Sequence, residues 1–165
     1  MRRIAIILLL ALCLPLVSCS RVKEVEYFEL GIVLPKEFEP VAADAFHSAY
    51  SDSVSFVGIT RYSFEDCVKN GLLTTYSPLK FAGVYLEMMD RMVYENIKEH
   101  GDVPYFTYVV TDSDGVELLY MPTFYRTRYA YFVITFITPL TRYNEAKNEF
   151  LEYTETVYIL EEHLS

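Results

Sequence analysis

Apolar and polar positions change period several times along this chain, and each change marks an element. An unbroken apolar run covers residues 4–14, behind Met1-Arg2-Arg3. Residues 27–34 read Tyr-Phe-Glu-Leu-Gly-Ile-Val-Leu and end at Pro35, which predicts a strand interrupted at Gly31. Residues 45–50 and 54–62 are two further β segments, and the Ser51-Asp52-Ser53 turn between them predicts a hairpin. Ser63 is placed to cap a short helix through Asn70, with Glu65 and Asp66 in its first turn and Gly71 as its stop. Ser77-Pro78 opens a second helix. On it Phe81, Tyr85, Met88 and Met92 recur at spacings of 4, 3 and 4, with Glu87 four before Arg91, and the pattern predicts that it runs on to His100-Gly101-Asp102.

The block 104–137 is rich in rings: ten of its residues are aromatic. Asp112-Ser113-Asp114-Gly115 and a tight turn through Thr127 divide it into strands at 104–111, 116–126 and 129–137, an antiparallel meander. In the last strand Tyr129, Tyr131, Val133, Thr135 and Ile137 alternate with Ala130, Phe132, Ile134 and Phe136. Neither set is polar, so this strand is expected at the centre of a sheet with cover on both faces. Pro122 cannot donate a ladder hydrogen bond, which predicts a bulge or an edge at that point. One long helix is expected from about residue 141 to 162, because Ala146, Phe150, Tyr153, Val157 and Leu160 repeat at 4, 3, 4 and 3 while Glu145, Lys147, Glu149 and Glu152 take the wet side. Strands, helices, strands and a final helix predict an α+β fold built on an antiparallel sheet.

The amino terminus adds an address. Its basic start and apolar run form an export signal, since the run fits the ~7–15 residues of a signal h-region and falls short of the ~20 that a membrane span needs. Leu16-Val17-Ser18-Cys19 resembles the lipobox of bacterial lipoproteins, in which cleavage precedes the cysteine. The resemblance implies that the Cys19 thiol accepts diacylglycerol and that two or more acyl chains hold the protein to a membrane. The expected organisation is a signal peptide at 1–18, a short polar tether at 19–26 and a single globular domain at 27–165. The product is expected to be exported and lipid-anchored at the bacterial cell membrane or envelope. Cys13 leaves with the signal and Cys19 is taken by lipid, so Cys67 remains as a lone thiol and the domain has no internal disulfide. Glu65 and Asp66 beside Cys67 disfavour its thiolate, which predicts a buried packing residue rather than a nucleophile.

Charge narrows the partners. The chain has 165 residues with 23 acidic and 14 basic side chains, a formal charge of −9. Loss of Arg2 and Arg3 with the signal leaves 12 bases against 23 acids, or −11. So acidic a domain is a poor match for nucleic acid or for anionic headgroups. Its 15 tyrosines and 11 phenylalanines exclude an intrinsically disordered chain.

Tyr27-Phe28, Gly31-Ile32-Val33-Leu34-Pro35 and the later run Gly101-Asp102-Val103-Pro104-Tyr105-Phe106-Thr107-Tyr108 resemble PsbP-like and DcrB-like proteins. The aromatic meander that follows, and a C-terminal helix with Tyr143 and Phe150, extend the resemblance over most of residues 27–160. It implies a central antiparallel sheet of about six strands sandwiched between helices. It also implies a superfamily whose members are mainly binding and assembly proteins, several of them lipoproteins, with no catalytic residue set in its pattern.

The residues themselves supply little chemistry. His47, His100 and His163 lie over fifty positions apart, without the converging spacing a zinc site needs. Asp112-Ser113-Asp114-Gly115 opens like a calcium loop, but its glycine is fourth rather than sixth and Thr123 stands where the bidentate Glu belongs, so it reads as a turn. No nucleophile elbow, phosphate loop or dinucleotide fingerprint is present, and Glu65-Asp66 and Glu161-Glu162 sit on expected helix surfaces. No catalytic residue, metal site or cofactor is therefore assigned. Tyrosine, abundant here without tryptophan, suits core strands first and interfaces second. Tyr125, Arg126, Arg128 and Tyr129 cluster at one turn and are the candidate partner-contact rim. These readings favour a non-enzymatic membrane-anchored lipoprotein that serves another envelope protein as a binding or accessory module. The alternatives are a small-ligand or glycan carrier with a Tyr- and Met-lined pocket, and a carboxylate-based hydrolase.

Overall fold

The computed structural model describes residues 22–89 and 93–160. The signal peptide, Cys19, Arg91, Met92 and His163 lie outside the described residues. Where one strand is expected over 27–34, the chain forms a hairpin. Strand β1 (Val22–Tyr27) pairs antiparallel with β2 (Leu30–Pro35), from Val22 opposite Pro35 to Tyr27 opposite Leu30. The reversal falls at Phe28-Glu29, with Phe28 at φ 52°. Gly31 is thus a seat rather than a break, because a Cβ there would lie 2.3 Å from the Tyr158 ring. Tyr158 opens the short strand β10 (Tyr158–Ile159), which pairs with the other edge of β2 and completes a three-stranded sheet. Residues 22–26 of the expected tether accordingly belong to β1.

The remaining strands are β3 (Glu39–Pro40), β4 (Ser48–Ser51), β5 (Phe56–Ser63), β6 (Val93–His100), β7 (Val103–Thr111), β8 (Glu117–Arg126) and β9 (Ala130–Pro139). They form one antiparallel sheet in the order β3-β4-β5-β9-β8-β7-β6, which contains both the expected hairpin and the expected meander. Strand β9 lies between β5 and β8 and is buried from Ala130 through Thr138, as its two apolar faces require. Pro122 marks neither an edge nor a bulge. It pairs with Thr135 on β9, while toward β7 the ladder omits the pairs it would share between Tyr105–Thr123 and Tyr108–Tyr120, with register unbroken.

Among the described residues three helices cover this sheet. Helix α1 (Phe64–Lys69) starts at Ser63, whose Oγ accepts from the Asp66 N–H at 3.0 Å. Helix α2 (Pro78–Met88) starts at Ser77, whose Oγ accepts from the Lys80 N–H at 3.2 Å. It ends twelve residues short of His100, because residues 93–100 are strand. Half-buried Val93, Glu95 and Ile97 alternate there with exposed Tyr94, Asn96 and Lys98, a period of two hidden by the charge at Glu95. Helix α3 (Tyr143–Glu155) follows a 3-10 turn at Leu140–Arg142 and is shorter than expected. Thr156 stops it: its Oγ accepts from the Val33 N–H at 3.1 Å and sends the chain into β10, so Val157 and Leu160 are not helical.

Two cores result. On one face Ile59, Met121, Phe132, Ile134 and Phe136 meet Ala146 and Phe150 of α3 and Leu30, Ile32 and Leu34 of β2. The Phe136 and Phe150 rings stack at 4.9 Å. On the other face Phe106, Phe124, Tyr131 and Val133 meet Cys67 of α1 and Phe81 and Ala82 of α2. Phe81 lies flat on Tyr131 at 4.1 Å, and the Tyr131 hydroxyl donates toward the loop carbonyls of Leu73 and Tyr76, at 3.0 and 3.1 Å. Cys67 is buried as expected, and burial, then the adjacent Asp66, push its thiol up.

Two ion pairs fasten the layers. Glu29, only 6% exposed, receives the Arg61 guanidinium through both oxygens at 3.0 and 3.2 Å, tying the β1–β2 turn to β5. Lys147 of α3 donates to Glu95 of β6 at 2.7 Å, and Lys98 adds a contact at 3.1 Å. Burial opposes the Glu95 charge, but hydrogen bonds from Lys147, Tyr143 and Lys98 outweigh it and hold the carboxyl at about 2. Since this lies below the ordinary value of 4.5, the pair contributes fully above about pH 4.5 and is lost as pH falls from there toward about 2. Glu95→Gln should therefore lower stability by about 1 kcal/mol at pH 7 and remove part of the stability loss over that acid window. Urea melts of both proteins at pH 7 and pH 3 check this.

Candidate binding cleft

Helices α1 and α2 cover only one end of their face of the large sheet. The other end, toward Phe56, Val110, Leu118 and Ile137, is overlaid by the irregular segment 41–47. Strand β4 begins at Ser48, so residues 45–47 of the expected strand belong to this segment. Three backbone bonds hold it: Val41 N–H to Ala49 O, Phe46 N–H to Ala43 O and His47 N–H to Ile59 O, each 3.0 Å. Phe46 reaches back over the sheet and lies on Gly58 of β5, where a Cβ would come within 2.3 Å of its ring. Its other ring neighbour is Phe56, at 5.3 Å.

A cavity lies on each side of that ring. One, of about 340 Å³, is bounded by Phe56, Leu118, Ile137 and the β4–β5 turn. The other, of about 290 Å³, is bounded by Tyr62, Tyr85, Tyr108, Thr60 and Thr135. Phe46 and Tyr120 border both and form the partition. Tyr108 and Tyr120 are stacked at 5.0 Å, and Tyr62 meets Tyr85 edge-on at 6.2 Å. Burial, then Tyr85, push the Tyr62 phenol up, so its hydroxyl stays protonated at physiological pH.

Charge is nearly absent from the walls. No carboxylate, histidine, lysine or arginine lines the second cavity. Asp52 lines the first, but its Oδ1 accepts the N–H groups of Val54 and Ser55 at 2.7 and 2.5 Å and so closes the turn. Such a surface offers ring contact and hydroxyl hydrogen bonds. Among the described residues no three His, Cys, Asp or Glu side chains group to hold a metal ion.

The expected rim separates. Tyr125 is buried on the opposite face, in the core with α3, because its strand position is odd where the neighbouring Arg126 is even. Arg126 stays exposed, its guanidinium 5.3 Å from the Phe64 ring and donating to Thr74 O at 3.2 Å. Arg128 is exposed over Tyr129 at 5.4 Å. Of the fifteen tyrosines Tyr105, Tyr108, Tyr125 and Tyr131 are buried, Tyr94 is exposed and the other ten are half-buried. His100 ends β6 rather than a helix and meets Glu155 at 2.7 Å. Asp112 Oδ1 accepts the N–H groups of Asp114 and Val116, both at 2.9 Å, as a turn residue does. The cleft itself was not visible in the sequence, since β5, α2, β7 and β8 each supply one of its tyrosines. Its one local signal is Gly58 inside an apolar strand, which marks a close approach by another group.

No family model matches the sequence, and no curated protein matches it. Solved structures do. Cyanobacterial PsbP (CyanoP) from Synechocystis aligns over 87% of this chain and 95% of its own, at 11% identity and a TM-score of 0.55. The fold is PsbP-like. A Bacteroides thetaiotaomicron protein aligns at 13% identity and a TM-score of 0.56 over 81% of this chain, which spans 46% of that longer one. The Saccharomyces cerevisiae Ran-binding protein Mog1p aligns at 12% identity and 0.52, over 85% of this chain and 96% of its own. This PsbP-like domain has more sheet than the expected six strands and a second, smaller sheet beside α3.

Gly58→Ala tests the seat of Phe46. The added methyl should drive the ring off β5 and lower stability by about 1–3 kcal/mol, while Gly83→Ala, with open space around it, should be neutral or slightly stabilising. Thermal melts of the two variants give the comparison.

Proposed function

We propose that this PsbP-like domain is a non-catalytic binding or accessory module, held to the bacterial envelope through acyl chains on Cys19 and working by contact with another envelope protein. The observation that carries the binding role is the cleft: rings and hydroxyls line it, and no nucleophile–base or paired-acid arrangement stands on its walls. The lipobox and export signal support the anchor. Because β1 starts at Val22, the domain would begin within about 11 Å of the acylated residue. The anchored small sheet packs on the face of the large sheet opposite the cleft, so a tethered domain keeps the cleft free. Among the described residues no helix is long and apolar enough to cross a membrane. Exposed Arg126 and Arg128, with half-buried Tyr129 beside Arg128 at the β8–β9 turn, remain the proposed protein contact; Tyr125 drops out of it.

Cys19→Ser tests the anchor. Wild-type protein should fractionate with membranes and carry the mass of diacylglycerol on its mature N-terminus, and the variant should lose both. Equal membrane association of the two proteins, with no acyl mass on either, contradicts the reading.

A further inference from the structure

Phe46 divides a space whose walls are alike in chemistry. Small-molecule sites enclose roughly 300–1,000 Å³. The compartments of 340 and 290 Å³ are each at the lower bound, and joined they fall well inside the range. The movable half of the partition, Phe46, is a half-buried side chain on a segment without regular secondary structure, seated against a residue that has no side chain of its own, while Tyr120 is fixed on β8. The walls present the hydroxyls of Thr60, Thr135 and the tyrosines beside ring surface. An anion would meet no cation here and would enter a protein of formal charge −9. A cation would find no free carboxylate, because Asp52 is committed to its turn, and Tyr108 and Tyr120 already occupy one face of each other.

We propose that the Phe46 cleft binds a neutral ring bearing hydroxyl groups, a sugar or a phenol, and that Phe46 leaves Gly58 to join the two compartments around it. The proposal rests on the binding-module reading and names what that module holds. The ring stacks against Tyr120, and its hydroxyls pair with those of threonine and tyrosine. Displacing Phe46 consumes part of the binding energy, so a chain without that ring binds more tightly.

Isothermal titration calorimetry of the full-length protein in lipid nanodiscs tests this with a sugar arm (maltose, cellobiose, N-acetylglucosamine) and a phenol arm (phenol, resorcinol). Glucose 6-phosphate, benzoate and choline serve as charged controls. At least one neutral arm should bind, which also identifies the source of the ring, while the controls bind at least tenfold more weakly. Phe46→Ala should tighten binding several-fold, and Tyr120→Ala should weaken it about fivefold to tenfold. Circular dichroism confirms that each variant folds; should Tyr120→Ala unfold, Val110→Trp, which fills the second compartment, replaces it and should abolish binding. Absence of heat with every neutral probe in both wild type and Phe46→Ala overturns the proposal. So does binding that survives the folded wall variant, or a control that binds as tightly as the neutral rings. Failure here leaves the anchored-module reading intact if crosslinking in whole cells still captures an envelope protein. Failure of the anchor alone leaves the cleft as argued.

Discussion

Strand β9 has no wet face, and the rest of the molecule is arranged to cover it. Its residues from Ala130 to Thr138 are buried on both sides of the sheet. Such a strand cannot lie at an edge or on a one-sided sheet, so it takes partners on both flanks and layers on both faces. Strand β8 arrives through the short β8–β9 turn, and β5 comes from far away in sequence, pairing from Phe56 opposite Ile137 to Ser63 opposite Ala130. One face takes α1 and α2, the other α3 and the three-stranded sheet. The cleft is what this arrangement leaves open, since the two short helices on their face do not reach its far end.

Polar residues placed inward complete the layers without breaking them. Glu29 and Glu95 are both turned inward, and each is matched by a cation from a different element. Burial disfavours the Glu29 charge, yet the hydrogen bond from Arg61 brings its carboxyl down overall. These pairs orient the small hairpin and the edge strand β6. Removing Arg61 would leave the buried Glu29 charge without its cation, which is why geometry there matters more than at the usual surface pair, whereas Glu95 would keep Lys98 if Lys147 were lost. Strand β6 adds register shifts at Val93/Glu95 and Glu95/Lys98, and its charges guard the edge against further pairing.

Much of this was legible in the residues. The meander, the central place of β9, the caps at Ser63 and Ser77 and the α+β class all follow from local patterns, because turn residues and side-chain alternation act over a few positions. What escaped depended on contacts distant in sequence. Glu95 disguises β6 because its partner Lys147 lies on another element, and Thr156 ends α3 because it meets Val33 across the fold. Gly31 looks like a strand break until the Tyr158 ring is seen to need its space. The parity of Tyr125 against Arg126 was readable, but which parity faces the core depends on register with β9. The cleft collects its tyrosines from four elements, and only the closed sheet brings them together.

If double-sided burial of β9 is the constraint from which the rest follows, its amides must open only when the whole domain does. Native-state hydrogen exchange resolved by NMR measures this directly. Amides of residues 131–137 should be the slowest in the protein and share one opening free energy equal to global stability, while those of segment 41–47 exchange orders of magnitude faster. Exchange of the β9 amides at rates comparable to the 41–47 segment, well below global stability, would contradict the account.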